Sequence, residues 1–215
     1  MAKHPAKSTV LDDENLARAL RSLARRGLGN AIRMAGPLPD RRLPRGFATL
    51  SKIIVEQQLS LIAAEAIWQK LLADIGEVTP DNVLARDVPH LKSLGLGARK
   101  AEYIQGFARA LQDGSLDLGG LHQMPDEEAL SHLTAVRGIG PWTAEVYLLF
   151  AEGRSDIFPA GDVALQAAAH HVFDLRSRPS ADALRDMAED WHPWRAAAAR
   201  VLWQVYRKMQ EEKKG

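Results

Sequence analysis

Leu133-Thr134-Ala135-Val136-Arg137-Gly138-Ile139-Gly140-Pro141-Trp142-Thr143-Ala144 is the stretch on which the reading of the fold turns. Two glycines flank one apolar residue, which suits a tight turn with positive φ that side-chained residues resist. Ile139, between them, is placed to drop into a core and pin two helices. Pro141 suits the first turn of a following helix, because its missing N–H would lack an intrahelical partner there. A helix starting at that point exposes amide N–H groups and the positive end of its dipole, and such a terminus binds phosphate without any base contact. The same residues also fit an ordinary packing corner between two helices, and Gly-x-Gly alone does not choose between the two.

On both sides the chain reads as helix. Its 33 alanines cluster in periodic apolar stretches, which favour helix. Nowhere do several alternating Val/Ile/Thr runs bounded by turn residues suggest a sheet. The periodicity predicts helices over 13–26, with Leu16, Leu20 and Leu23 on one face, and over 47–73, carrying Ile53, Ile54, Ile62, Ile67 and Leu71. Short helices follow at 83–84 and 91–94, then longer ones over 99–111, 126–136, 141–151, 163–172, 181–188 and 195–210. The Pro/Gly-rich stretch 36–46 reads as an irregular connection between two lobes. Gly95-Leu96-Gly97-Ala98-Arg99-Lys100-Ala101 parallels 138–144 in pattern. The parallel marks either two hairpins of one geometry or two unrelated glycine turns.

Composition narrows the class. A chain of 215 residues, 46% hydrophobic and 26% charged, suits one large domain or two small lobes. The absence of cysteine excludes disulfides, thiolate zinc sites, iron–sulfur clusters and a cysteine nucleophile. Seven histidines are scattered, and His170-His171 lacks the i, i+4 spacing of a helical zinc site, so no metal site built of side chains is expected. The longest apolar run, around Val146 to Ala151, is far short of the ~20 residues a membrane span needs. No apolar signal region opens the chain, and a soluble, cytoplasmic protein is expected. The net charge of +1 conceals an asymmetry: residues 1–50 hold ten Lys/Arg against four Asp/Glu, and residues 111–215 eleven against sixteen. A basic end suits a polyanionic partner, and equally a solvated face.

Three further features carry candidate chemistry. Asp156-Ile157-Phe158-Pro159-Ala160-Gly161-Asp162 delivers one carboxylate to the start of a helix. Helix capping explains it, as does a catalytic carboxylate facing a groove. Trp142 and Trp203 offer flat π faces on which an extruded base could stack, with cation–π attraction for an electron-deficient base; Trp191 and Trp194 read as packing residues. Glu56-Gln57-Gln58-Leu59-Ser60 places paired glutamines inside an apolar helix.

Taken together, these features resemble the helix-hairpin-helix DNA glycosylases, specifically the DNA-3-methyladenine glycosylase II branch, over about Leu50 to Arg207. Gln57-Gln58-Leu59-Ser60 resembles the family's helix facing the DNA minor groove, and Val136 to Ala144 its DNA-backbone anchor. Asp162 lies twenty positions after Trp142, where the family places its catalytic aspartate, and Trp191 to Arg195 followed by Trp203 resembles the branch's C-terminal end.

The resemblance implies an all-α fold: one helix-hairpin-helix glycosylase unit over 1–215, with a middle lobe of about 45–155, a second lobe of 1–44 plus 156–215, and a cleft between them holding Asp162. It implies base excision repair by hydrolysis of the N-glycosidic bond of alkylated, 3-methyladenine-type bases. Asp162 would be catalytic, Trp142 and Trp203 would form the base pocket, and Gln57, Gln58, Leu59, Ser60, Gly138, Ile139, Gly140 and Thr143 would bind DNA. Gln58 and Leu59 are the candidates for the wedge filling the gap left by the flipped base. Trp142 stands where lyase-active relatives carry a lysine, so no Schiff base is expected. No cofactor is required, although carbonyls near Val136 and Ile139 could hold a monovalent cation. The expected partner is double-stranded DNA with damaged bases, bound by a monomer without membrane association. Val146 and Val163 are aliphatic where relatives can carry aromatics, which leaves other lesions (deaminated, etheno or oxidised purines) open. A non-catalytic helix-hairpin-helix DNA-binding protein is the competing reading.

Overall fold

A computed structural model of the chain describes residues 9–213. Among them every regular element is helical, and the only β feature is an isolated antiparallel bridge between Val10 and Arg154. No helix among these residues is long and apolar enough to cross a membrane. The chain divides into two compact units: residues up to Arg42 with those from Leu148 onward, and Leu43–Tyr147.

In the first unit, α1 (Asp13–Leu23) is capped by the Asp12 carboxylate, which accepts from the Asn15 amide at 2.8 Å. The helix does not continue to Arg26 as the periodicity suggests. Arg26 leaves helical φ/ψ and Gly27 takes φ 91°, and after this kink a second helix, α2 (Gly29–Ala35), resumes. That helix is too short and too alanine-rich to show a clear apolar period. α10 (Val163–Val172), α11 (Ala181–Ala188) and α12 (Arg195–Glu212) complete the unit. Ala196 to Ala199, Val201, Leu202 and Val205 of α12 are buried, where it packs on α10, α2 and α1. Small side chains there allow close helix approach. The start of the described chain is tied in by its backbone: the Leu11 amide donates to the Gly153 carbonyl at 2.6 Å, and the Ser155 amide to the Thr9 carbonyl at 2.9 Å. In this division residues 148–155 fall with the first unit and Leu43 and Pro44 with the second.

The second unit holds α3 (Phe47–Glu56), α4 (Leu61–Ile75), α5 (Pro80–Leu84), α6 (Val88–Ser93), α7 (Ala98–Gln112) and α8 (Asp126–Thr134). The boundary at 147 falls inside α9 (Pro141–Phe150). The helix predicted over 47–73 is two helices, because Gln57 turns extended (ψ 127°) and Gln58 takes a left-handed φ of 56°. Ser60 then caps α4, accepting from the Ala63 amide at 3.2 Å. A serine inside an apolar run is the usual mark of a helix start, and here it marks the second helix. The core joins α3 to α7 through Phe47 stacked on Phe107 at 4.7 Å. The buried Tyr147 hydroxyl accepts from the Gly46 amide at 2.9 Å.

Both Gly-x-Gly turns have the same local geometry. Gly95 takes φ 101° and Gly138 φ 99°, and the intervening Leu96 and Ile139 are 3% and 2% exposed. The second glycine of each takes an ordinary φ and opens a helix: the Ala101 amide donates to the Gly97 carbonyl at 3.1 Å, and the Ala144 amide to the Gly140 carbonyl at 3.0 Å. The glycines are not equivalent. A Cβ on Gly138 would lie 2.2 Å from Tyr103 Cγ, whereas one on Gly140 meets nothing within 4 Å. Only Gly138 therefore bears out the need for positive φ read from the sequence. Gly138→Ala should cost about 3 kcal/mol, from unfavourable φ plus an overlap close to the Tyr103 backbone, lowering the melting temperature by roughly 10 °C. Gly140→Ala should stay within about 0.5 kcal/mol of the native chain. Thermal unfolding of the two variants checks the asymmetry.

Candidate nucleic-acid interface and catalytic carboxylate

In the second unit the hairpin and the turn between α3 and α4 are one structure. The Gln57 side-chain amide donates to the Gly138 carbonyl at 3.1 Å and to the Thr143 hydroxyl at 2.8 Å. Thr143 is 2% exposed, and its hydroxyl holds the turn from within. Gln57 is half-buried and committed in the same way. Gln58, Leu59 and Ser60 are exposed, with Leu59 at 41%. They sit on a turn and not on a helix as the resemblance implied.

Ile139 anchors the hairpin tip in the core. The Ala144 amide donates back to the Gly140 carbonyl at 3.0 Å, which closes the first turn of α9, and a helix start of this kind suits an anion. Arg137, exposed, lies with its guanidinium 5.8 Å over the Tyr103 ring, which places a cation beside the tip. Tyr103, the residue that fits under Gly138, was not marked in the sequence. A lone tyrosine in α7 carries no local sign of a contact made 35 positions away.

In the first unit Asp162 is the N-cap of α10. Its Oδ1 accepts from the Ala164 amide at 2.8 Å and the Leu165 amide at 3.0 Å. The carboxylate is half-buried, and its approach is fixed by buried Ile157, Phe158 and Ala160 and by the Gln166 amide donating to the Ala160 carbonyl at 3.0 Å. Capping and presentation thus coincide, because two backbone N–H groups hold the carboxylate in one rotamer. Asp156, six positions earlier, anchors this segment, and nothing in its local sequence announces its partners. Arg195 grips it through Nε at 2.9 Å and Nη2 at 2.8 Å, and His192 Nδ1 lies 2.6 Å from its second oxygen. This ties the segment leading to Asp162 to the start of α12.

The tryptophans separate by role. Trp191 is 2% exposed and packs against Phe158 and Phe173. Trp203 is half-buried, with one face stacked on Phe150 at 5.4 Å, and Trp142 is half-buried in the first turn of α9. Val146 is 8% exposed and Val163 58%, so Val146 is a buried residue. Among the described residues no group of three or more His, Asp or Glu could hold a metal ion.

An all-helical chain whose glycine hairpin and capped aspartate stand in this order matches the model of the HhH-GPD superfamily of base excision DNA repair proteins over residues 51–193. The chain belongs to that superfamily. It is 33% identical over 165 residues to YfjP of Bacillus subtilis, a match covering 73% of this chain and 58% of that protein, so it spans less than two thirds of that relative's length. Its fold is similar to the crystal structure of a DNA-3-methyladenine glycosidase from Bacillus halodurans, with a TM-score of 0.79 and 29% identity over 96% of this chain and 95% of that one. It is also similar to the 3-methyladenine DNA glycosylase of Schizosaccharomyces pombe in complex with abasic DNA, with a TM-score of 0.75 and 26% identity over 87% and 95% of the two chains.

The Gln57 bridge has a measurable consequence. Thr143→Val keeps the volume but removes the acceptor of the Gln57 amide, and should cost about 1–2 kcal/mol. Thr143→Ser keeps the hydroxyl and should cost less than Thr143→Val. Urea unfolding of both variants tests the order.

Proposed function

We propose that the chain is a monofunctional DNA glycosylase that releases alkylated, 3-methyladenine-type bases from double-stranded DNA in base excision repair. The observation that carries this reading is the Asp162 carboxylate, held by two backbone N–H groups at the head of α10 and half-buried. The names of the two structural relatives support it.

A purine alkylated on a ring nitrogen carries positive charge and leaves as a neutral base, so no acid need protonate it. The N-glycosidic bond breaks with its electron pair passing to the base, and the sugar takes on oxocarbenium character. The Asp162 carboxylate offsets that charge without reorganising, because its cap bonds already fix it. Water then adds through oxygen to C1′ and gives up its proton, with Asp162 as the base. No lysine occupies the start of α9, where Trp142 stands. A Schiff base with the sugar is therefore not part of the reaction, and borohydride should trap no covalent complex.

DNA affinity comes from the backbone, through the amides around Gly138 and Gly140 and through Arg137. The oxygens of Val136 and Ile139 suit a monovalent cation as neutral carbonyl donors. The Val136 carbonyl accepts one bond, from the Ile139 amide at 3.0 Å, which leaves its second lone pair for an ion. Such an ion would extend positive charge towards a phosphate. The Trp142 ring offers an extruded base a surface to stack on, the face of Trp203 opposite Phe150 is another such surface, and a base is least costly to unstack when damaged. The exposed α3–α4 turn, with Gln58 and Leu59 at its surface, supplies the wedge, and the protein acts as a monomer.

Asp162→Asn should bind a DNA duplex like the native protein while its release of methylated base falls by about 100-fold or more. Base release from alkylated DNA, measured beside duplex affinity, decides the point. Turnover near the native rate would reject the role of Asp162, and an inert native protein would favour a non-catalytic DNA-binding module.

A further inference from the structure

Gln58 is one of two non-glycine residues with positive φ among those described. A left-handed conformation is unfavourable for a side-chained residue and persists only where the surroundings impose it. Packing does not impose it here. Gln58 and Leu59 are exposed and line an open pocket of about 470 Å³ shared with Gly97, Lys100 and Tyr103. The Lys100 ammonium donates to the Val55 carbonyl and to the Gln57 carbonyl, each at 2.6 Å. These oxygens belong to the end of α3, where carbonyls lack intrahelical donors. The Gln57 carbonyl also lies in the peptide plane whose orientation sets ψ of Gln57 and φ of Gln58.

The position of this cation is unfavourable in itself. Lys100 lies in the first turn of α7, at the positive end of the helix. It has no carboxylate within ion-pair reach among the described residues, and burial pushes its pKa down. The Gly95-Leu96-Gly97 turn, with Leu96 buried, sets where this first turn begins. The 95–97 turn thereby sets where Lys100 meets the Val55 and Gln57 carbonyls.

We infer that Lys100 is the positioning residue for the α3–α4 turn: by fixing the Val55 and Gln57 carbonyls it orients the peptide before Gln58 and presents Gln58 and Leu59 for insertion into DNA. The inference rests on the reading of that turn as the element that enters the duplex, and two measurements separate them.

The first uses the full chain without DNA and asks only whether Lys100 enforces the conformation of Gln58. Lys100→Met should lower the melting temperature by about 4 °C, and by less than half of that in a Gln58→Gly background, where glycine adopts positive φ without penalty. Equal losses in both backgrounds, or failure to fold in both, overturn the inference. The second measures single-turnover release of methylated base beside affinity for an undamaged duplex. Lys100→Met should slow release about 100-fold while changing duplex affinity less than about threefold, because that affinity is to the backbone. The chain contains no cysteine, so Lys100→Cys treated with bromoethylamine regains an ammonium at this position alone and should recover to within about threefold of the native rate. A parallel loss of release and affinity, or no recovery, overturns the inference. Absence of release by the native protein rejects the proposed function, and the thermal comparison still decides the role of Lys100.

Discussion

One side-chain amide joins the two pieces of backbone on which the interface of the second unit depends. Gln57 reaches from the end of α3 to the Gly138 carbonyl and the Thr143 hydroxyl. A buried hydroxyl and a turn carbonyl would each be costly to leave unpaired, and one amide group satisfies both. The turn that displays Gln58 and the hairpin that offers its amides therefore hold a common register, although they lie about eighty residues apart in the chain. A glutamine within an apolar helix looks out of place until this partner is known.

At Asp162 the structural role and the proposed chemical role need not compete. Reading the residue as a helix cap and reading it as a catalytic carboxylate are usually alternatives, yet the cap bonds to Ala164 and Leu165 are what give the carboxylate a single orientation. Electrostatic stabilisation of a developing cation depends on charge that is already in place. Asp156, gripped by Arg195, extends the same rigidity back along the chain to the head of α12.

The two glycine turns make a complementary point. Their local geometries agree in the φ of the first glycine, the burial of the middle residue and the opening of a helix by the second glycine. What differs is the environment: Tyr103 fills the space against Gly138, Ile67 comes only to 3.3 Å from a Cβ on Gly95, and Lys100 follows one turn at the place where Thr143 follows the other. Equal backbone geometry ends in unequal surroundings because the side chains leaving the turn meet different neighbours.

Much of this was legible locally. Helical periodicity, proline and serine at helix starts, the glycine pattern and the Gly-Asp step before α10 all act through near neighbours, so helix positions after residue 80, the hairpin and the capping aspartate followed from the amino-acid order alone. The tertiary structure decided what distant neighbours control: the break of the 47–73 run at a left-handed Gln58, the inward commitment of Gln57 and Thr143, the close fit of Tyr103 under Gly138, and the pairing of Leu11 with Gly153. Each of these rests on a hydrogen bond or a contact between residues tens of positions apart, and no local pattern of side chains encodes such a partner.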